Sequence, residues 1–343
     1  MEADESHEGR VSVGDKDCRP QKIRYDGTMR VFHPLVLLGL SCQVPGAADS
    51  GDRHGDAALE SAGGFVGSWL DLEPEEPPGL CSIQIDCEET IPDEPKIDCS
   101  LTIWDDQDEE IYADMAGVEL RGRSSYWAPK PQYSVELRDS EGDERAVSLM
   151  GMPEESDWIL NGNYFDRSLL RNALGYDLFR GMGYIERWAP ASAFCELELN
   201  GESRGIYSLV ERIKRADRRV PIREDDGTGS SFLLKLDDVD ALYENTLGHG
   251  GWKVVYPKSE ELTVEQSQGI LSFLDGWYAA LESENPHAED LGVWAYVDLD
   301  SLVDFVLLQE LLRNNDAYYL SVHMWRERGG RLHFVPWDLD LTL

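Results

Sequence analysis

The sequence predicts an α+β fold in which a mainly antiparallel, β-rich half precedes a mainly helical half, with the junction near residue 260. Before that point, apolar and polar residues alternate through several short runs, as they do in half-buried strands. After it, apolar residues recur at helical spacing over 262–283 and 298–316. With 343 residues, of which 41% are hydrophobic, the chain is long enough to bury the core of two lobes or two domains.

The amino-terminal segment reads as an export signal followed by a linker. Within 1–42, Met29 opens a stretch in which a basic residue and a short apolar run precede Cys42, the layout of a lipoprotein signal. We expect translation to start at Met29, the residues before it to be an artefact of gene calling, and Cys42 to carry the lipid. Residues 43–78, rich in Gly, Ala, Pro and acids, are expected to form a flexible acidic tether. The apolar run is too short to span a bilayer, so any membrane attachment would depend on the lipid.

The charge balance limits the partners. The chain has 31 Lys and Arg against 67 Asp and Glu, a formal net charge of −36. A field of this sign repels phosphate backbones, so the sequence argues against nucleic-acid binding.

The cysteines indicate the compartment. Cys81, Cys87 and Cys99 lie close together in an acidic stretch, and a bridge between two of them would favour an oxidising environment. We therefore expect an exported protein, either attached to the cell envelope or secreted. Cys195 is expected to pack as a small apolar residue in a strand.

The β-rich region, 79–260, is predicted from alternating segments that glycine, asparagine and acidic turns separate. The sequence Asn200-Gly201 marks a tight hairpin turn within it. The expected strands cover residues 99–105, 116–122, 132–139, 194–199, 205–210 and 231–238.

One helix is predicted inside this β-rich region. Asp166 is placed to cap its start, and Gly181 with Gly183 would end it. The apolar positions expected to face the core are Leu169, Leu170, Ala173, Leu174 and Leu178.

The last part of the chain predicts a β-hairpin with acids at its open end. Strands are expected over 317–325 and 331–337, with a turn at the Gly pair between them. Antiparallel strands bring their far ends together, so Asp316, before the first strand, should lie beside Asp338, after the second. Asp338 and Asp340 are two residues apart, and in an extended chain their carboxylates point the same way.

Three carboxylates in one place indicate a cation site. They would repel one another unless a divalent cation neutralised them, and Mg²⁺ or Mn²⁺ suits such oxygen ligands. The same acids are also compatible with solubilising strand ends in an acid-rich chain. The sequence Asp338-Leu339-Asp340 further matches the DxD of metal-dependent glycosyltransferases, although here it follows a helical half and not a Rossmann-like series.

Five blocks of sequence, in order, carry a resemblance to a known family. They are "RGRSSYWAPKPQYSVEL", "WILNGNYFDRSLLRNALGYDLFRGMG", "ELELNGESRGIYSLVERIK", "VYPKSEELTVEQ" and the pair "LLRNNDAYYLSVHMW" with "GGRLHFVPWDLDLT". Together, over about 115–343, they resemble the spore coat protein CotH kinase family. The resemblance implies an atypical, two-lobed protein-kinase-like fold, with a β-rich lobe over 79–260 and a helical lobe carrying the catalytic hairpin over 261–343. It also implies transfer of the γ-phosphate of ATP to Ser or Thr of a surface or coat-type protein.

The resemblance assigns roles to the acids. Asp338 would hold the metal, and Asp316 would accept or orient the proton of the substrate hydroxyl. Asp340 would be a second metal ligand or would close a turn. Ser321 stands five residues after Asp316, where ordinary kinases have an asparagine for the second metal.

The cations follow from the same comparison. Lys130 would reach the α and β phosphates of the nucleotide, and Glu211 would pair with Lys130 and orient it. Arg121 or Arg123 would add phosphate contacts. The chain has no Walker loop, which argues against a P-loop enzyme.

A non-enzymatic alternative stays open at this point. A kinase-like lobe normally continues past its metal-binding acid, and without that continuation Leu339, Leu341 and Leu343 lack cover. By the resemblance, either the gene product is truncated or the lobe is minimal and the fold closes in another way. Such a protein would be a surface scaffold or adhesin that binds partners without transferring phosphate.

Overall fold

The structure, a computed structural model of the chain, describes residues 79–122, 127–182, 187–236, 251–288, 291–318 and 320–342. The predicted export signal, the tether and Arg123 lie outside the described residues. None of the helices in the described part of the chain has the length and apolar character needed to cross a membrane.

The chain folds as an α+β protein, as predicted. The strands are β1 Cys81–Cys87, β2 Ile97–Trp104, β3 Glu110–Arg121, β4 Gln132–Arg138, β5 Asp157–Asn161, β6 Ser192–Leu199, β7 Glu202–Glu211, β8 Phe232–Leu236, β9 Trp252–Tyr256, β10 Val322–Arg326 and β11 His333–Val335. The α-helices are α1 Arg171–Gly181, α2 Val264–Glu282 and α3 Leu299–Leu312.

The first seven strands close into a barrel of order β1-β2-β3-β4-β5-β7-β6. Neighbouring strands are antiparallel, except that β1 and β6 pair in parallel. Alternate residues of these strands fill the interior, among them the fully buried Ile85, Val118 and Leu160. The predicted antiparallel, β-rich region is therefore present, and its ends are joined by a parallel pairing.

The two disulfides attach β1 to both of its neighbours in the barrel. Cys87 is bridged to Cys99 on β2, and Cys81 is bridged to Cys195 on β6. Each bridge joins residues that are direct partners in a strand ladder. The predicted bridge between two of Cys81, Cys87 and Cys99 is confirmed. The prediction for Cys195 is wrong, because alternation within one strand does not reveal that β6 lies beside β1.

A second sheet of order β11-β10-β8-β9 draws its strands from both sides of residue 260. It packs with the helices around a second core that includes Phe232, Trp277 and Phe305. Ile159 and Val210, which belong to barrel strands, are also members of this core. The outer face of the barrel therefore packs against the second sheet. The junction near residue 260 marks a change in the sequence pattern, but strands from both sides of it form this second sheet.

Helices α2 and α3 lie where helical spacing predicted them. Thr263 accepts a hydrogen bond from the Gln266 backbone while Gln266 reaches back to Thr263, a capping box that fixes the start of α2. The Asp298 carboxylate accepts from the Ser301 backbone and caps α3.

Helix α1 is present, but the prediction of its buried face is wrong. Leu170, Leu174 and Leu178 are exposed, whereas the buried positions include Asn172 and Tyr176. The reason is that α1 packs against the segment after β11, whose backbone N–H groups at Asp338 and Leu339 need hydrogen-bond partners. Asp166 lies before the helix, where its carboxylate accepts from the backbone N–H groups of Ser168 and Arg171.

The hairpin β10–β11 is shorter than predicted. Its register pairs His323 with Val335 and Trp325 with His333, and the first strand begins at Val322 and not at residue 317. The tip of the hairpin is held by the loop before β8, because Arg326 donates to the Ser230 carbonyl and Arg328 pairs with Asp226.

Candidate functional site

The acids at the open end of the hairpin lie between the barrel and the second sheet. Asp338 follows β11 with a left-handed backbone (φ 59°), so the chain is not extended there as the sequence suggested. The carboxyl groups of Asp338 and Asp340 nevertheless hydrogen-bond to each other. Burial raises the pKa of both groups, and in Asp340 the neighbouring Asp338 adds to the effect and brings its pKa to about 7. The pair therefore needs a shared proton or a cation at neutral pH.

Asp316 lies at the entrance of the hairpin, close enough that its negative charge raises the pKa of both Asp338 and Asp340. The backbone N–H of Asp316 donates to the Asn314 side chain, which fixes the turn before β10. The Ser321 hydroxyl donates to Asp338 Oδ2 at 3.4 Å. The hairpin thus brings Asp316, Ser321 and Asp338 to one end, as antiparallel pairing requires.

Helix α1 fixes the backbone of the segment that carries the two acids. Asn172 Oδ1 accepts from the Leu339 N–H at 2.7 Å, and Arg171 donates to the Asp340 carbonyl at 3.1 Å. The α1 residue Gly175 allows the close approach, since a Cβ there would lie 2.3 Å from Leu339 Cδ1. Leu339 is fully buried in this contact, so the prediction that it lacks cover is wrong, while Leu341 is exposed as expected.

A cavity of about 180 Å³ lies beside this segment, since Trp337, the residue directly before Asp338, lines it together with three cations. The positive charges of Arg121 and Lys235 oppose the rise in the pKa of Asp338. The residues that line the cavity are Arg121, Ile159, Arg212, Ile213, Lys235, Val255, His323 and Trp337. A cavity with cationic and apolar walls next to paired carboxylates suits an anion with an apolar body that brings its own metal.

Arg121 is the best placed of the predicted cations. Its guanidinium lies 5.4 Å from the centroid of the Trp337 ring, and its Nη1 atom is buried without a hydrogen-bond partner among the residues that the structure describes. Burial and the nearby Arg212 lower the pKa of Arg121 to about 10, which leaves it charged at neutral pH. A buried, charged nitrogen without a partner is costly unless a ligand accepts its hydrogen bond.

Lys130 and Glu211 do not pair, and that prediction is wrong. Lys130 Nζ donates to the Ile206 carbonyl and lies 4.7 Å from the centroid of the Tyr207 ring. Glu211 is four residues further along the same strand, roughly 13 Å away at the usual rise. It accepts from the Ala191 N–H at 2.9 Å and lies 3.9 Å from Arg219.

Lys235 was not predicted as a site residue. It is the one charged residue in the strand β8, whose other four positions are buried apolar residues. That pattern was the available signal, because a lysine inside a buried strand needs a reason to be there.

The donor set fits a metal that arrives with phosphate. Among the residues the structure describes, no three His, Cys, Asp or Glu side chains lie close enough to form a metal cage. Mg²⁺ in phosphate-transfer sites needs only one or two carboxylates, because phosphate oxygens and water supply the other positions. Asp338 and Asp340 meet that requirement as a contacting pair.

The part of the chain that carries these side chains is similar to known proteins. A family model described as CotH kinase protein matches residues 118–343, which include the acids, Arg121 and Lys235. The inner spore coat protein H of Bacillus subtilis (strain 168) is 24% identical over 192 residues, covering 53% of this chain and 49% of that protein. The chain thus spans about half the length of this curated relative. Because the family model covers well over half of the sequence, the chain belongs to the CotH kinase protein family.

Proposed function

We propose that the protein is a metal-dependent kinase that moves the γ-phosphate of ATP to Ser or Thr of another protein. The observation that carries the proposal is that Arg121 and Lys235 line a cavity beside the Asp338–Asp340 pair and lie close enough to Asp338 for their charges to oppose the rise in its pKa. Phosphoryl transfer is mainly positioning and neutralisation of charge, and it needs a cationic side and a metal-binding side in close contact.

Each part of the site has a role in this reaction. Arg121 and Lys235 bind the phosphates, and the apolar walls Ile159 and Val255 contact the base. Asp338 and Asp340 hold Mg²⁺ or Mn²⁺, which supplies charge neutralisation on the phosphates when bound.

Asp316 orients the acceptor hydroxyl and accepts its proton. Asp316 interacts with the Asp338–Asp340 pair through its charge. This leaves the pair to bind the metal and Asp316 to bind the hydroxyl. The acceptor oxygen would then enter from the open end of the hairpin.

The substrate and the location follow from the relative's name and from the cysteines. A relative called an inner spore coat protein supports an exported protein that acts on coat or surface proteins. The two disulfides support an oxidising compartment. Attachment through a lipid on Cys42 remains part of the proposal.

A second candidate is a kinase-like scaffold that binds partners without transfer. It is favoured by the separation of Lys130 from Glu211, since a lysine–glutamate pair normally orients the phosphates in kinases. In this alternative, the cavity binds nucleotide, but no acceptor hydroxyl reaches Asp316 and no phosphate is transferred.

The test is transfer of radiolabelled phosphate from ATP to casein and to the protein itself by the whole purified chain, with Mg²⁺ or Mn²⁺. Asp338→Ala and Asp316→Ala are expected to remove the label, while Asp217→Ala, at an exposed acid outside the site, retains it. Label that survives in Asp338→Ala would contradict the metal assignment. Nucleotide binding without transfer in the parent would favour the scaffold.

A further inference from the structure

A continuous chain of buried hydrogen bonds runs from the barrel to the acid-bearing segment. The Leu339 N–H donates to Asn172 Oδ1 at 2.7 Å, and Asn172 Nδ2 donates to Asn163 Oδ1 at 3.3 Å. Asn163 Nδ2 then donates to the hydroxyl of Ser208 on β7 at 2.6 Å. All three side chains are at most 2% exposed, so water does not compete for these bonds.

The direction of every bond in the chain is set by its first member. A backbone N–H can only donate, so Asn172 must present its oxygen to Leu339. Its amide nitrogen is then left to donate to the oxygen of Asn163, whose nitrogen must in turn donate to Ser208. The orientation of both amides therefore depends on partners at each end, and neither amide can flip without leaving buried groups unpaired.

Burial of Asn172 reverses the usual pattern of an amphipathic helix. Leu174 and Leu178 of α1 and Leu170 directly before it are exposed, while Asn172 and Tyr176 face the interior. Tyr176 adds a second contact to the same segment, since its hydroxyl accepts from the Asp338 N–H at 3.4 Å. A helix that exposes leucines and buries an asparagine is built to satisfy the loop it contacts.

The segment needs such support because its backbone is held in an unfavourable conformation. Asp338 has a positive φ, which costs energy for a residue with a side chain unless its surroundings impose it. Leu339 lies between the two acids, so fixing its N–H sets the direction of the side chains on both sides. Through Asn163 and Ser208, the chain of hydrogen bonds connects the acid segment to β7 of the barrel. Arg121 lies on β3 of the same barrel.

We propose that Asn172 is a positioning residue that holds Asp338 and Asp340 in the geometry needed to share a metal, and that Asn163 and Ser208 fix its orientation. This inference rests on the proposed function, because it concerns the same carboxyl pair. In this role Asn172 acts through the Leu339 backbone and not on the substrate or the metal directly. Loss of such a supporting contact typically costs about 10- to 100-fold in metal affinity or activity.

The test compares Asn172→Leu, which keeps the branched shape of the side chain and removes the hydrogen bond, with Ser301→Ala. Ser301 is a matched control, because its buried hydroxyl also accepts a backbone N–H, that of Phe334, at a position outside the acid segment. We expect both variants to lower the melting temperature by a similar amount. Only Asn172→Leu should weaken Mn²⁺ binding, about 10- to 100-fold, measured by electron paramagnetic resonance with a non-hydrolysable ATP analogue.

Two further readouts separate positioning from general loosening. In Asn172→Leu, amide hydrogen exchange should speed up in the peptide 336–342 and remain unchanged in the barrel. In the transfer assay, kcat should fall while KM for the protein acceptor stays within about twofold, since positioning acts on the metal and not on the acceptor.

Each outcome decides the proposal. Metal affinity and exchange equal to those of the parent in Asn172→Leu would overturn it, as would equal losses in Ser301→Ala. If Asn172→Leu does not fold, Ser208→Ala takes its place with a smaller loss of metal affinity expected, and an unchanged affinity overturns the proposal. If the parent binds neither metal nor nucleotide, the proposed function fails first and the positioning role fails with it.

Discussion

The guanidinium of Arg121 lies 5.4 Å from the centroid of the Trp337 ring, the residue directly before Asp338. This contact joins β3 of the barrel to the end of the hairpin. An aromatic face holds the cation without neutralising it, which leaves the buried Nη1 able to bind an anion. The charge that faces the acids is therefore available to a ligand.

Replacing Arg121 with Met should weaken ATP binding. A hydrogen bond to a charged group contributes about 1.5–3 kcal/mol, which corresponds to roughly a 10- to 100-fold increase in Kd. Lys130→Met is the matched control, because Lys130 is engaged with the Ile206 carbonyl and the Tyr207 ring. Its Kd should change by less than about threefold. Calorimetric titration with ATP and Mg²⁺ measures both values, and a larger loss in Lys130→Met would place the phosphates at the end of the barrel instead.

The two disulfides should contribute unequally to stability. The Cys81–Cys195 bridge closes a sequence separation of 114, and the Cys87–Cys99 bridge closes one of 12. Chain entropy then gives about 5 kcal/mol for the first bridge and about 3 kcal/mol for the second. Guanidinium unfolding of the Cys81→Ala/Cys195→Ala and Cys87→Ala/Cys99→Ala double variants compares them. A greater loss in the second variant would show that native-state contacts, and not loop closure, dominate.

Local features of the fold could be predicted from the sequence, whereas its long-range pairings could not. The predicted strand 132–139 matches β4 at Gln132–Arg138, and the Asn200-Gly201 turn lies between β6 and β7 as expected. Alternation shows which residues of a strand face the core, but it does not name the neighbouring strand. The parallel β1–β6 pairing and the pairing of Leu236 with Val322 join segments far apart in sequence, so no local pattern signals them.

The same limit explains what was missed at the site. The acids could be placed together because one hairpin connects them, whereas Arg121 was named only through the resemblance to a family. The buried face of α1 was predicted wrongly because its leucines outnumber the polar side chains, such as Asn172, that hydrogen-bond to the acid segment. Asn172 is buried by hydrogen bonds to a residue that follows 167 positions later. An asparagine and a glycine, Gly175, inside a predicted helix were the only local signs of that contact.

Asp225 should make stability depend on pH in the acidic range. Burial opposes ionisation of its carboxyl group, but hydrogen bonds from the backbones of Ser231, Gly229 and Gly227 and from the Gln266 side chain outweigh it and lower the pKa below 3.8. The stabilisation is therefore complete above pH 3.8 and is lost as the pH falls through the lower pKa of the folded state.

Asp225→Asn should cost about 2 kcal/mol at pH 7, because an amide nitrogen would face backbone donors. The difference in unfolding free energy between parent and variant should narrow as the pH falls below 3.8. Urea denaturation at several pH values measures it. Asp217→Asn, at an exposed acid, is the control and should track the parent throughout, and a gap for Asp225→Asn that stays constant with pH would argue against ionisation as the cause.

Gly175→Ala should destabilise the protein, although alanine is the better helix former by about 1 kcal/mol. A Cβ at this position would lie 2.3 Å from Leu339 Cδ1 and 3.1 Å from Leu312 Cδ1, and both leucines are buried. Because Leu339 cannot move outward, the acid segment must shift, and both the melting temperature and phosphate transfer should fall. Gly181→Ala at the end of the same helix meets no atom within 4 Å, so it should leave both unchanged. Thermal unfolding and the transfer assay on the two variants test this, and a stabilised, fully active Gly175→Ala would show that α1 does not restrain the segment that carries Asp338 and Asp340.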